Sequence, residues 1–285
     1  MHVFYRPEQV ANTESISRSM LKPRLVVEDW KAQGLYLNIH SFEPVSRDDF
    51  KLAHHAEFVD GVLDGTRYNG FNNTDANIAR SLPYTTGSML AAARYALAKK
   101  TTACSPTSGF HHAGPTSALG FCTFNGLMVT AMVLKTLGLA DRVAILDCDA
   151  HYGNGTDEII HAMGINWIIH RTQGEHFYNR ETTLGRAYED WLDAAIDDCT
   201  QADIVLYQAG ADPHIDDPYG GMLTSQQLVA RDEAVFSRLG HVPLAWNLAG
   251  GYQIASGATE AERLEPVLAL HRATARCAIA HQAQT

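Results

Sequence analysis

The sequence predicts an α/β fold: a single domain in three layers, with a central, mostly parallel sheet and helices on both faces. Three observations carry this expectation. Short apolar runs recur along the chain, helical segments with legible ends lie between them, and 285 residues with 46% hydrophobic and 19% charged side chains can build a large core. No Pro/Ser/Gly linker, charge block or internal repeat offers a place to cut, so one domain is expected over residues 1–285.

Taken in chain order, Pro23 suits the first position of a helix. Ser88 to Lys100 is Ala-rich and ends in cations, as a helix C-terminus favours. Gly126 to Ala140 is the most apolar helical stretch, yet at fifteen residues, with Lys135 inside it, it falls short of the roughly 20 apolar residues that a bilayer span needs. Val143 to Leu146 (VAIL) reads as a strand, and Thr156 as the cap of a helix with Asp157 and Glu158 in its first turn and Gly164 as its stop. Trp167 to Ile169 and Ile204 to Tyr207 are two further strands. Thr224 and Gln227 form a capping box for a helix that Gly240 closes. Val242 to Leu248 is a fourth strand, and Pro266 suits another first helical position. All four strands read as buried and apolar on both faces, as in a parallel sheet. In such sheets the chemistry sits beyond the carboxyl ends of the strands.

Composition narrows the function. Twenty-two Lys plus Arg against thirty-two Asp plus Glu give a formal charge of −10, the wrong sign for phosphate attraction, so no nucleic-acid partner is expected. Residues Met1 to Val10 show no charged region leading into an apolar run, so no secretory signal and no membrane are expected, and the cytoplasm is the expected location. Five scattered cysteines without a C-x-x-C pair read as reduced thiols. Fourteen histidines exceed what a core requires and call for proton transfer or metal ligation.

Four strand-end elements supply candidates. After VAIL the chain runs Asp147-Cys148-Asp149-Ala150-His151, and residues two apart in extended chain face the same way, so two acids and an imidazole share one side. Such a group is costly without a cation. Asp212 follows the Ile204 to Tyr207 strand, and with Asp149 and His151 it makes an O, N, O set, the ligand count of a catalytic zinc site. His111-His112 is an adjacent pair that repels when both are charged, so each needs its own partner. Gly250-Gly251-Tyr252 lets the backbone turn sharply and delivers a phenol. His54-His55, by contrast, reads as two solvated loop histidines at the start of an amphipathic segment, and His170 and His214 as structural or surface residues.

The stretches GFHHAGPTSALGFCTFNG, LDCDAHYGNGTDEI, QAGADPH and NLAGGY, in this order, resemble the zinc-dependent histone deacetylase superfamily, including its bacterial and acetylpolyamine amidohydrolase members. The similarity runs from about Ala53 to Tyr252. The resemblance implies the arginase/deacetylase fold and one Zn2+ per chain, held by Asp149, His151 and Asp212. It implies that His111 and His112 are the tandem catalytic histidines, the first partnered by Asp147 and the second backed by Asn154, and that Tyr252 grips the substrate carbonyl. Gly120, Phe121 and Tyr178, with Gly250 and Gly251, are implied to line the substrate site. The implied activity is removal of an acetyl or short acyl group from an amine such as acetyl-lysine, an acetylpolyamine or a small metabolite.

Three departures stand beside the resemblance. Tyr152 replaces the His that often follows the ligand His in relatives. Ile168 falls where many relatives have a Ser that helps bind a structural potassium ion (K+), which leaves that site open. No acid matches the one that grips a peptide backbone at the tunnel rim; Asn72 and Asn73 occupy that loop. A binuclear manganese ureohydrolase of the same fold would want an acid two residues after His151, where this chain has Gly153. A non-catalytic metal- or acyl-binding module would make Tyr252 and His112 superfluous.

Overall fold

The structure, a computed structural model, describes residues 1–11 and 17–282. Its elements in chain order are β1 (His2–Phe4), α1 (Lys22–Ala32), β2 (Asn38–His40), α2 (Arg47–Phe50), α3 (Ala56–Leu63), α4 (Ala76–Lys99), β3 (Thr102–Ser105), α5 (Gly126–Thr136), β4 (Val143–Asp147), α6 (Asn154–Ala162), β5 (Ile168–Thr172), α7 (Ala187–Cys199), β6 (Ile204–Gln208), α8 (Ser225–Arg238), β7 (Leu244–Asn247) and α9 (Glu260–Ala280). The strands form one sheet in the order β2-β1-β3-β7-β6-β4-β5, and every described pair is parallel. Every residue of β3, β4, β6 and β7 is buried. Successive strand side chains point to opposite faces, so both faces of the central sheet are covered, as βα connections require. Helix α4 packs on β1, β3 and β7, and α7 on β4 and β5. No helix among the described residues is long and apolar enough to cross a membrane.

Several local expectations are corrected. In place of the Trp167 to Ile169 run, the edge strand starts one residue later and continues to Thr172, half-buried rather than buried on both faces, because only β4 pairs with it. Thr156 does not cap α6: the helix starts at Asn154 after Gly153, and Thr156 is buried, with Oγ1 accepting from Asn125 Nδ2 at 3.0 Å. Pro266 lies inside α9, whose start is instead a capping box of Thr259 and Glu262. The Ala-rich helix begins twelve residues before Ser88 and runs through Pro83 and Gly87. Gly87 is required there, since a Cβ would stand 2.9 Å from the Glu43 carbonyl oxygen and 3.0 Å from Pro44 Cα. Where local sequence argues for a break, the close approach of residues 43–45 to the helix selects its composition instead.

Candidate metal and active site

The sheet register sets the site. Ser105 pairs with Asn247, Asn247 with Gln208, and Gln208 with Asp147, so four strands end at one level and their following loops converge. From β3 comes the loop carrying His111 and His112; from β4, Asp147, Asp149 and His151; from β6, Asp212; from β7, Gly250, Gly251 and Tyr252.

The oxygens of Asp149 and Asp212 lie 3.0 and 3.1 Å from His151 Nδ1, and one ligand atom from each of the three residues falls within 4.8 Å of the others. Both acids are buried. Burial and the charge of Asp149 push Asp212 up to about 7, while bonds to the two acids push His151 up to about 11. A cation bound by this set therefore competes with protons. Two buried carboxylates and an imidazole fit a divalent metal such as zinc, which suits mixed O and N ligands and leaves a position open when the protein supplies three. Gly250 N–H donates to Asp149 Oδ2 at 2.8 Å, and a Cβ at Gly250 would enter the Asp212 carboxylate, so only glycine lets this loop approach.

The two histidines have different partners. Asp147, fully buried, accepts from His111 Nδ1 at 2.7 Å, and its other oxygen accepts from Gln208 Nε2 at 2.9 Å. Burial opposes a charge on His111, but Asp147 and Asp149 outweigh it and hold the ring up at about 9. His112 faces a neutral amide instead, Nδ1 lying 2.7 Å from Asn154 Oδ1. Burial and the neighbouring His111 charge take it down to about 4, so it is neutral at physiological pH. The ring centroids are 4.1 Å apart, and only one of two such rings can hold a proton cheaply.

Tyr252 is fixed through its backbone, whose N–H donates to Asp217 Oδ2 at 2.7 Å. Its ring meets Phe121 and Tyr219 at 5.9 and 5.1 Å, and burial with the nearby Asp149 and Asp212 charges raises its hydroxyl pKa, keeping it a donor. Lys22 is buried beneath this loop. Its Nζ donates to the Ala249 carbonyl at 2.5 Å, and burial brings the amine down to about 8 against the opposing pull of Asp212, Asp149 and Asp217. Gly120 and Phe121 both adopt left-handed backbone, and a Cβ at Gly120 would stand 2.5 Å from His112 Cδ2. Phe121, Tyr219, Gly251 and Tyr252 line a cleft of about 140 Å³.

Tyr178, expected to line the substrate site, is 71% exposed, with its N–H on Thr182 Oγ1. It follows Phe177, whose packing against Tyr188 and Trp191 turns Tyr178 outward. The solvated-loop reading of His54 is corrected: it is buried, with Nδ1 2.8 Å from the Gly114 carbonyl oxygen and Nε2 accepting from Asn125 N at 2.9 Å. Gln208, Lys22 and Asp217 support the site although nothing in their local sequence marks them, and His54 supports it from a position that reads as a solvated loop. Tyr152 turns to Asp157 Oδ2, with which it bonds at 2.5 Å, and His170 Nδ1 takes the other oxygen at 2.7 Å. Ile168 opens β5 opposite Val143 and brings no side-chain oxygen to that edge. Asn73 accepts from Asn69 Nδ2 and from Asp75 N, closing the rim loop on itself.

Among known proteins, the sequence is 27% identical over 225 residues to an uncharacterized protein of Picosynechococcus sp., covering 71% of this chain and 74% of that one. It is 28% identical over 269 residues to the chloroplastic histone deacetylase 10 of Oryza sativa subsp. japonica, covering 77% of this chain and 60% of that protein's length. The fold superposes on the crystal structure of the HDA15 HD domain with a TM-score of 0.74 at 20% identity, covering 98% of this chain and 88% of that one. It superposes on an acetylpolyamine aminohydrolase from Burkholderia pseudomallei with a TM-score of 0.72 at 16% identity, covering 99% of both. The seven-stranded parallel sheet is thus that of the arginase/deacetylase fold. Residues 7–187 match the histone deacetylase domain family, and over that span the chain belongs to it.

Proposed function

We propose that this protein is a zinc-dependent amidohydrolase that removes an acetyl or short acyl group from an N-acylated amine. One observation supports this above all: the His112 ring, with its Nδ1 2.7 Å from Asn154 Oδ1, stands 5.7 Å from the ring of His151 in the three-donor metal set. Asp149, His151 and Asp212 would hold the ion. When zinc is bound, the chemistry it supplies is polarisation of the amide carbonyl and a water acidic enough to lose a proton near neutral pH.

The remaining work falls to side chains. His112 Nε2 takes the water proton and returns a proton to the departing amine nitrogen, a role worth about 10² to 10⁴ in rate. His111 keeps its proton against Asp147 and supplies positive charge where negative charge develops. Tyr252 donates to the carbonyl oxygen as it becomes an oxyanion. The water oxygen bonds to the carbonyl carbon, the C–N bond breaks, and the products are a free amine and a short carboxylate. Gly153 leaves no carboxylate for a second metal.

The substrate class we propose is a small acetylated amine or polyamine rather than a protein. The rim loop offers amides, not an acid, to a peptide backbone, and the charge of −10 favours cations. The test is a hydrolysis screen with zinc-loaded protein across acetyl-lysine peptides, N-acetylpolyamines and longer acyl amides, with metal analysis of the same sample. Close to one zinc per chain and turnover of acetylated amines are expected. Two metals per chain, or no turnover with zinc bound, would overturn the proposal.

A further inference from the structure

Glu158 lies one turn beyond Asn154 on α6, and residues four apart share a helix face. Its Oε1 accepts from Asn154 Nδ2 at 3.0 Å, while Asn154 Oδ1 faces His112 Nδ1 at 2.7 Å. An asparagine amide has a donor end and an acceptor end of nearly identical shape, so either end could face the imidazole. A carboxylate can only accept. With Glu158 on one side, the amide nitrogen must turn to it and the oxygen must turn to His112. The ring then carries its proton on Nδ1, and Nε2 keeps the lone pair that a base needs. Were the amide reversed, its NH2 would face Nδ1, the proton would move to Nε2, and the base would be lost.

We propose that Glu158 is a positioning residue that sets the tautomer of His112 by fixing the orientation of the Asn154 amide. This rests on the reading of His112 as the general base. Glu158 is exposed and reaches the ring only through Asn154, so the relay runs from surface to site through one amide.

The test replaces an acceptor by a donor. Glu158→Lys turns the amide over and is expected to lower kcat by about tenfold or more, within the range that general-base catalysis supplies, with KM and zinc content little changed. Glu158→Ala frees the amide and is expected to cost a few-fold. In an Asn154→Asp background both ends of residue 154 accept, no reversal is possible, and Glu158→Lys is expected to change kcat less than about twofold. A second readout does not depend on activity: nitrogen chemical shifts of the His112 ring should report the Nδ1–H form in the wild type and growth of the Nε2–H form in Glu158→Ala. An equal loss in both backgrounds, or no loss in Glu158→Lys, overturns the proposal, as does a ring tautomer indifferent to residue 158. If the wild type hydrolyses no acyl amide, the amidohydrolase reading fails, and the ring shifts alone decide the role of Glu158.

Discussion

Tyr252 gives the sharpest expectation for a single atom. Its backbone is clamped by Asp217 and its ring by Phe121 and Tyr219, and none of these contacts uses the hydroxyl. Tyr252→Phe should therefore leave zinc content and thermal stability at the wild-type level while kcat for an acetyl-lysine fluorogenic substrate falls about 10²- to 10³-fold, the usual cost of losing one oxyanion donor. Unchanged turnover would remove the phenol from the chemistry. At this scale Asp147, Asp149, His151 and Asp212 are legible in the sequence because each closes or follows a strand at short spacing, whereas Tyr252 is singled out by the family resemblance. Lys22 is not: a lysine reads as surface, and its burial depends on a bond to Ala249, 227 positions away. His54 fails for the same reason, its partners lying 60 and 71 positions on.

His54 also links elements, joining the Gly114 turn to Asn125, the residue whose side chain caps α5 by accepting from Met128 N. Burial holds this imidazole down to about 4, whereas in the unfolded chain it titrates near 6.5. The folded state therefore resists a proton that the unfolded state accepts: the stabilisation is complete above pH 6.5 and is lost as pH falls toward 4. The difference corresponds to about 3 kcal/mol for this one group. Chemical denaturation between pH 7 and 4 should show stability falling less steeply in His54→Gln than in the wild type; parallel curves would mean that the ring is protonated in the fold. Gly250→Ala tests the loop after β7, where the new Cβ would enter the Asp212 carboxylate, so zinc affinity should drop well beyond any loss of stability. Central strands were readable because continuous apolar runs occur where both faces are buried. The strands β1, β2 and β3 were not: β1 and β2 have three residues each, too few to show a period, and β3 is Thr-Ala-Cys-Ser, whose burial comes from its neighbours β1 and β7. Only the Ala-rich half of helix α4 is legible, because Pro83 and Gly87 are breakers locally and are tolerated only through tertiary packing.

For the whole molecule, the charge of −10 raises the question of whether it acts on substrate or only keeps copies apart. A net field steers an oppositely charged substrate toward the protein and leaves a neutral one unaffected, and salt screens it over about 8 Å at physiological ionic strength. Steering affects encounter and so appears in kcat/KM, whereas contacts formed after binding appear in kcat. If polycationic amines are the substrates, kcat/KM for an N-acetylpolyamine should fall several-fold from low to physiological salt, with kcat nearly constant. A neutral N-acetyl alkylamine of the same length should show a flat kcat/KM over that range, which controls for salt effects on the zinc site or the fold. Equal salt dependence for the two substrates would assign the charge to solubility and leave the choice of substrate to the walls of the cleft between Phe121 and Tyr252.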